Sequence, residues 1–147
     1  MRVIIKPAHQ IQRINKLQNE LTALRSIDPE EFVKRPNPKA WCSAEVIEHM
    51  IVAQSAYAKK LDETMAKLKP TDKDVEVIRT RAVPSFLIKR FPPNEGKIRF
   101  KMKTTKQFKP MLDIDKLSNE KVIEIIQKME KSLDQLRVWV EQTRNKN

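Results

Sequence analysis

A single glycine, Gly96, serves the whole 147-residue chain. That scarcity closes off more folds than any motif opens. Nucleotide cradles of the Rossmann and P-loop kinds need several glycines where the backbone approaches a phosphate. Turn-rich sandwiches and barrels need them at tight hairpins. What remains is a fold of long regular elements. A composition of 39% hydrophobic and 33% charged residues suits amphipathic helices better than a thick α/β core. The length suits one domain, residues 1–147, with room for a real core.

Three apolar stripes define those elements. Ile11, Ile14, Leu17, Leu21 and Leu24 recur at spacings of three and four, which predicts a helix over about 9–27, between Pro7 and Asp28-Pro29. Val46, Ile47, Met50, Ala53, Tyr57 and Leu61 predict a second over 43–69, ending before Pro70. Val122, Ile125, Met129, Leu133, Leu136 and Val140, widened by Ile126 and Trp139, predict a third over 118–143, with Ser118 as N-cap. Three such stripes cannot be hidden unless the helices pack together. The expected fold is an all-α up-down helical bundle of three long helices, with little strand.

Between the second and third helices lies a long connection, 71–116, broken by Pro84, Pro92, Pro93 and Pro110. Within it Pro84–Arg90 reads as a short helix, and Ile98, Phe100 and Met102 alternate with cations in a strand-like period. A segment of this length is expected to wrap over the bundle, anchored by Phe86, Phe91, Phe100 and Phe108. From Arg79 to Lys109 it carries ten cationic side chains against one carboxylate, Glu95, and so supplies most of the net charge of +11. Such a cluster attracts phosphate-rich partners, or simply solvates an exposed crossover. Nucleic-acid association through 79–109 is one reading, although no recognised DNA- or RNA-binding motif accompanies it.

Cys42 is the only cysteine, which excludes an intramolecular disulfide and a cysteine-rich zinc cluster. A lone thiol, no secretory leader and no apolar run long enough for a membrane helix together point to a cytoplasmic protein with no membrane partner.

The most informative segment is Trp41-Cys42-Ser43-Ala44-Glu45-Val46-Ile47-Glu48-His49-Met50. Pro36 and Pro38 hold the approach extended, Ser43 is a natural N-cap, and Glu45 meets the positive end of the helix dipole. Glu45 and His49 are four apart and share a face, so a carboxylate could orient an imidazole, as beside many bound metals. The plainer reading is a packed or solvated helical histidine. The chain has one other, His9. Cys42 at a helix start is a conceivable nucleophile, without a partner set by spacing. Trp41 reads as a hydrophobic staple, and Met50, Met65 and Met129 as core fillers.

Pro38, Trp41, Ser43, Glu45 and His49 resemble the second helix of the DinB/YfiT-like superfamily of metal-dependent proteins, with Cys42 inserted between Trp and Ser. The layout of a leading helix, a long crossover and a third helix also resembles that family's up-down four-helix bundle. The resemblance implies a divalent metal, zinc or nickel, with His49 as one ligand and Glu45 as the candidate catalytic or orienting carboxylate. It implies a metal-dependent transferase or hydrolase acting on a small, thiol-containing metabolite. The family's other two histidines usually lie on a fourth helix, and no histidine follows His49 here. Ligand counting therefore predicts weak metal binding by this chain alone. Two accounts of the fourth wall stand open: a helix beyond Asn147, or a second copy of the chain in a homodimer. Three helices leave an apolar groove that invites association, so a non-catalytic helical binding module is the alternative function.

Overall fold

The computed structural model describes residues 3–90 and 103–146. The protein is mostly helical. Helix α1 spans Pro7–Leu24, starting on a proline whose fixed φ and missing N–H suit a first turn. A short helix α2, Pro29–Val33, follows, with the Asp28 side chain accepting from the Glu30 amide and Pro29 at its first position. Helix α3 spans Ser43–Lys67, α4 spans Ala82–Arg90 and α5 spans Asn119–Arg144. The three long helices thus lie where the stripes place them, with ends shifted by at most three residues.

Two features were not legible. Helix α2 buries Phe32 against α3 and α5. Strand β1, Ile4–Ile5, pairs antiparallel with β2, Ile78–Arg79, in the register Ile4–Arg79 and Ile5–Ile78. The buried Ser85 of α4 locks that pair: its hydroxyl accepts from the Val3 amide at 3.0 Å and meets Thr80 Oγ1 at 2.6 Å. The predicted helix over Pro84–Arg90 therefore exists and begins two residues earlier.

Helix α5 is the centre of the bundle and packs on α1 and α3. Its stripe of Val122, Ile125, Ile126, Met129 and Leu133 is buried, joined by Ile14 and Leu21 from α1, Phe32 from α2, and Cys42, Ala44 and Ile47 from around the start of α3. Polar ties fix the directions. Gln18 Nε2 donates to Asp134 at 2.7 Å and Arg25 pairs with Glu130, so α1 and α5 run oppositely. Gln54 Nε2 donates to the Ser132 carbonyl at 2.5 Å, Trp139 Nε1 to Asp62 at 2.7 Å and Lys146 Nζ to the Met65 carbonyl at 2.9 Å, so α3 and α5 run together. The long connection has carried the chain back to the end of the bundle where α3 begins. The order is up-down-down, not simple alternation, because only a crossover of that length can make neighbours parallel.

The crossover differs from its expected anchoring. Phe86 is 51% exposed, with Arg90 stacked 5.3 Å over its ring, and contributes nothing to the core. Phe108 is half-buried and stacks on Tyr57 at 6.2 Å. Leu112, Ile114 and Leu117 then pack against the core as the chain enters α5. Phe91, Phe100 and the alternating run Ile98–Met102 lie outside the described residues. Among the described residues no helix is long and apolar enough to cross a membrane.

Truncating the α5 stripe tests the arrangement. Leu133→Ala and Ile125→Ala, at side chains only 3% and 5% exposed, are each expected to lower stability by about 2–5 kcal/mol. Urea unfolding followed by helical circular dichroism measures it, and Ile123→Ala on the exposed face should cost well under 1 kcal/mol.

Candidate binding groove

The stripe predicted to bury α3 is only partly covered. Ile47 at its start is in the core, but Met50, Tyr57 and Leu61 are 44%, 56% and 38% exposed. With Ala53 they form one wall of a groove of about 700 Å3. Met129, Leu133 and Leu136 of α5 form its floor, and Leu17 of α1 its opposite edge. The reading of Met50 and Tyr57 as core residues fails here. Burying a helical stripe needs neighbours on both sides, and over this stretch α5 is the only long helix among the described residues that packs on α3. Met65 and Met129, by contrast, are buried as expected. The polar lining is sparse: Gln54, Lys60, Thr64 and, at one end, His49.

The start of α3 shows what its polar residues do. Cys42, not Ser43, is the N-cap, and Ser43 is the exposed first helical residue. The reason is packing: Cys42 is 1% exposed in the core, and Glu45 reaches back to supply the cap. One Glu45 oxygen accepts from the Cys42 amide at 2.9 Å; the other accepts from Arg35 at 2.7 Å. That is the carboxylate half of a capping box, reinforced by an ion pair. Both oxygens are thereby engaged, and the geometry gives Glu45 a structural role at the helix start. Burial pushes the Cys42 thiol up from its ordinary value, with the adjacent Glu45 carboxylate acting in the same direction. A neutral buried thiol is a poor nucleophile.

His49 is held by two contacts from elsewhere in the chain. Its Nδ1 lies 2.6 Å from the Phe108 carbonyl, which can only accept, so Nδ1 carries the proton. Trp41 tilts against the ring at 5.1 Å between centroids. Next to it, Glu48 accepts from the Met111 amide at 2.7 Å. The segment around the 3-10 turn Lys106–Phe108 is thus pinned along α3 by His49, Glu48 and Tyr57. A ring nitrogen fixed by a carbonyl leaves Nε2 as the acceptor of the neutral imidazole, the arrangement a metal-bound histidine adopts.

Ligand number limits what His49 alone can hold. Among the described residues no three His, Cys, Asp or Glu side chains come together as a metal-ligand set. The candidates nearest in sequence to His49 are committed: Glu45 to Cys42 and Arg35, Glu48 to Met111, and Cys42 to the core. A zinc site with open chemistry needs about three protein ligands, and the described residues do not bring three together around His49. His9 lies near the start of α1 among basic residues, outside the groove. Sequence reasoning missed Phe108 as the partner of His49, since the two are 59 positions apart and no periodicity links them.

Comparison of the chain with protein-family models, with curated proteins and with solved structures returns no match in any of the three.

Two measurements check the start of α3. Glu45→Ala is expected to cost about 1–3 kcal/mol, through the lost cap and a buried cation partner, whereas the exposed Glu63→Ala changes little. Cys42 is expected to resist a thiol reagent in the folded protein at pH 8 and to react promptly in denaturant.

Proposed function

We propose that the chain is a DinB/YfiT-like helical domain whose working surface is the apolar groove, acting as a binding module for an amphipathic helix. The observation that carries this reading is the side of α3 left open among the described residues. Met50, Ala53, Tyr57 and Leu61 recur at intervals of three and four over an accessible face, which is how a helix recognises another helix. The lining from His49 to Thr64 spans sixteen residues of α3, about 22 Å from first to last at a rise of 1.5 Å each. A partner helix of four turns matches it. Several hundred square ångströms of apolar surface covered at about 25 cal/mol per Å2 would contribute on the order of 10 kcal/mol before association costs. The nearest source of such a helix is a second copy of the chain, as a homodimer with twofold symmetry.

A second reading, a metal-dependent transferase or hydrolase acting on a small, thiol-containing metabolite, is favoured by one observation. His49 sits at the end of the groove with its tautomer fixed by the Phe108 carbonyl. That chemistry needs further ligands, and the element that fills the groove is where they would have to come from.

Light scattering at micromolar concentration tests the first reading. A dimer is expected for the unaltered chain, and Leu61→Glu is expected to shift it to monomer without loss of helical signal. A chain that stays monomeric, and that gains no thermal stability from any added amphipathic helix, overturns it. For the second, metal content after extensive dialysis is expected to be far below one equivalent per chain alone. One retained equivalent that disappears in His49→Ala would establish the metal reading instead.

A further inference from the structure

The fold divides the basic residues of the sequence into separate places. Lys103, Lys106 and Lys109 line a hollow of their own with Thr104 and Thr105, in the segment pinned along α3. Arg79 goes elsewhere: on β2 it stands opposite Ile4 of β1. Residues paired directly across an antiparallel ladder point to the same face, so Arg79 shares the face of Ile4. Ile4 in turn lines a concavity of about 710 Å3 with Lys6, His9, Gln10, Gln12, Arg13 and Lys16 of the N-terminal segment and α1. Through this pairing Arg79 of β2 stands on the face that Ile4 shares with the basic lining. Among the described residues no carboxylate lines it.

The cations of that surface are available. Lys6, Arg13, Lys16 and Arg79 are all exposed. Lys16 has one weak link, to Glu20 at 3.7 Å, with both side chains mostly in water. The adjoining hollow, which shares Lys6 and His9, contains Asp74 and Glu76. Asp74 is already neutralised by a bidentate pair with Arg144, which holds its carboxyl below the usual range. Arg13 and Lys16 lie three apart on one helix face, and Gln10 and Gln12 add amide donors of the kind that bind phosphate oxygens.

We propose that the concave basic surface formed by Lys6, Arg13 and Lys16 together with Arg79 of β2 binds the phosphate backbone of a nucleic-acid duplex. Among the described residues the lining contains no aromatic side chain on which an unpaired base could stack, which favours a duplex over a single strand. Its one apolar member among the described residues is Ile4. An interfacial membrane site needs a broad apolar face beside its cations, and this surface has none. Contacts of this kind read charge and spacing and carry no base specificity. The proposal is independent of the groove, since the two surfaces share no lining residue.

The test is the salt dependence of binding to a labelled 20-base-pair DNA duplex, followed by fluorescence anisotropy. Four phosphate contacts predict a log–log slope of about −3.6, a loss of affinity of roughly 150-fold between 50 and 200 mM salt. Arg13→Gln with Lys16→Gln should halve that slope to about −1.8, leaving a loss of roughly 12-fold. Lys59→Gln with Lys67→Gln removes the same charge from exposed positions of α3 and should leave the slope unchanged. Circular dichroism confirms that both variants are folded. Three outcomes overturn the proposal: no binding at 50 mM salt, equal effects of the two double variants, or capture by phosphatidylserine vesicles that depends on Arg13 and Lys16 while the duplex is ignored.

Discussion

Helix α5 has two long neighbours and must satisfy both with one stripe. Val122, Ile125, Ile126, Met129 and Leu133 are buried because α1 closes on one flank and α3 on the other. Met129 and Leu133 belong to the core and to the floor of the groove at once. A change at either would be felt in stability and in the shape of the open surface. The groove is therefore no local defect. It follows from arranging two amphipathic helices around a central third when each apolar face is wide enough for two partners.

The parallel course of α3 and α5 adds an electrostatic requirement, because their macrodipoles point the same way. Carboxylates stand in both first turns, Glu45 on α3 and Glu120 on α5. The Glu120 carboxyl is held below its ordinary range by its own backbone amide and the Ser118 hydroxyl. At the far end Lys146 donates to the Met65 carbonyl, one of those that the last turn of α3 cannot satisfy internally. Arg144 is tied to Asp74, whose neighbour Val75 donates to the Arg144 carbonyl at 2.8 Å. Each helix end is thus matched in charge, and the antiparallel α1 offsets part of the remaining field.

The long helices were legible because periodicity and local breakers decide them: Pro7 and Asp28-Pro29 bound α1, and Pro70 follows α3. The stripe of α5 was read correctly down to Trp139, whose ring is buried with its N–H on Asp62. What failed was decided by distant residues. Ser43 has the better intrinsic capping side chain, yet the cap fell to Cys42 because Phe32, Ala44 and their neighbours demand a buried residue there. Helix α2 is five residues long, too short for a period, although Asp28-Pro29 is a legible start. Sequence spacing set Glu45 beside His49 as a chemical pair; Arg35 and the Cys42 amide claim one, and the Phe108 carbonyl claims the other.

The ties that set the helix directions join residues far apart along the chain. Gln18 and Asp134 are separated by 116 positions, Arg25 and Glu130 by 105, Gln54 and Ser132 by 78. Helical proteins usually fold fast because their contacts are local, and closing long loops is what slows β-rich chains. Here the secondary structure is of the first kind and the closure is of the second. Neither α1 nor α3 can bury its stripe until α5 arrives, so both wait with apolar faces open. On the path to the native state this protein carries the burden of a β-sandwich: its helices form in microseconds, and the search that matters is for a partner more than seventy residues away.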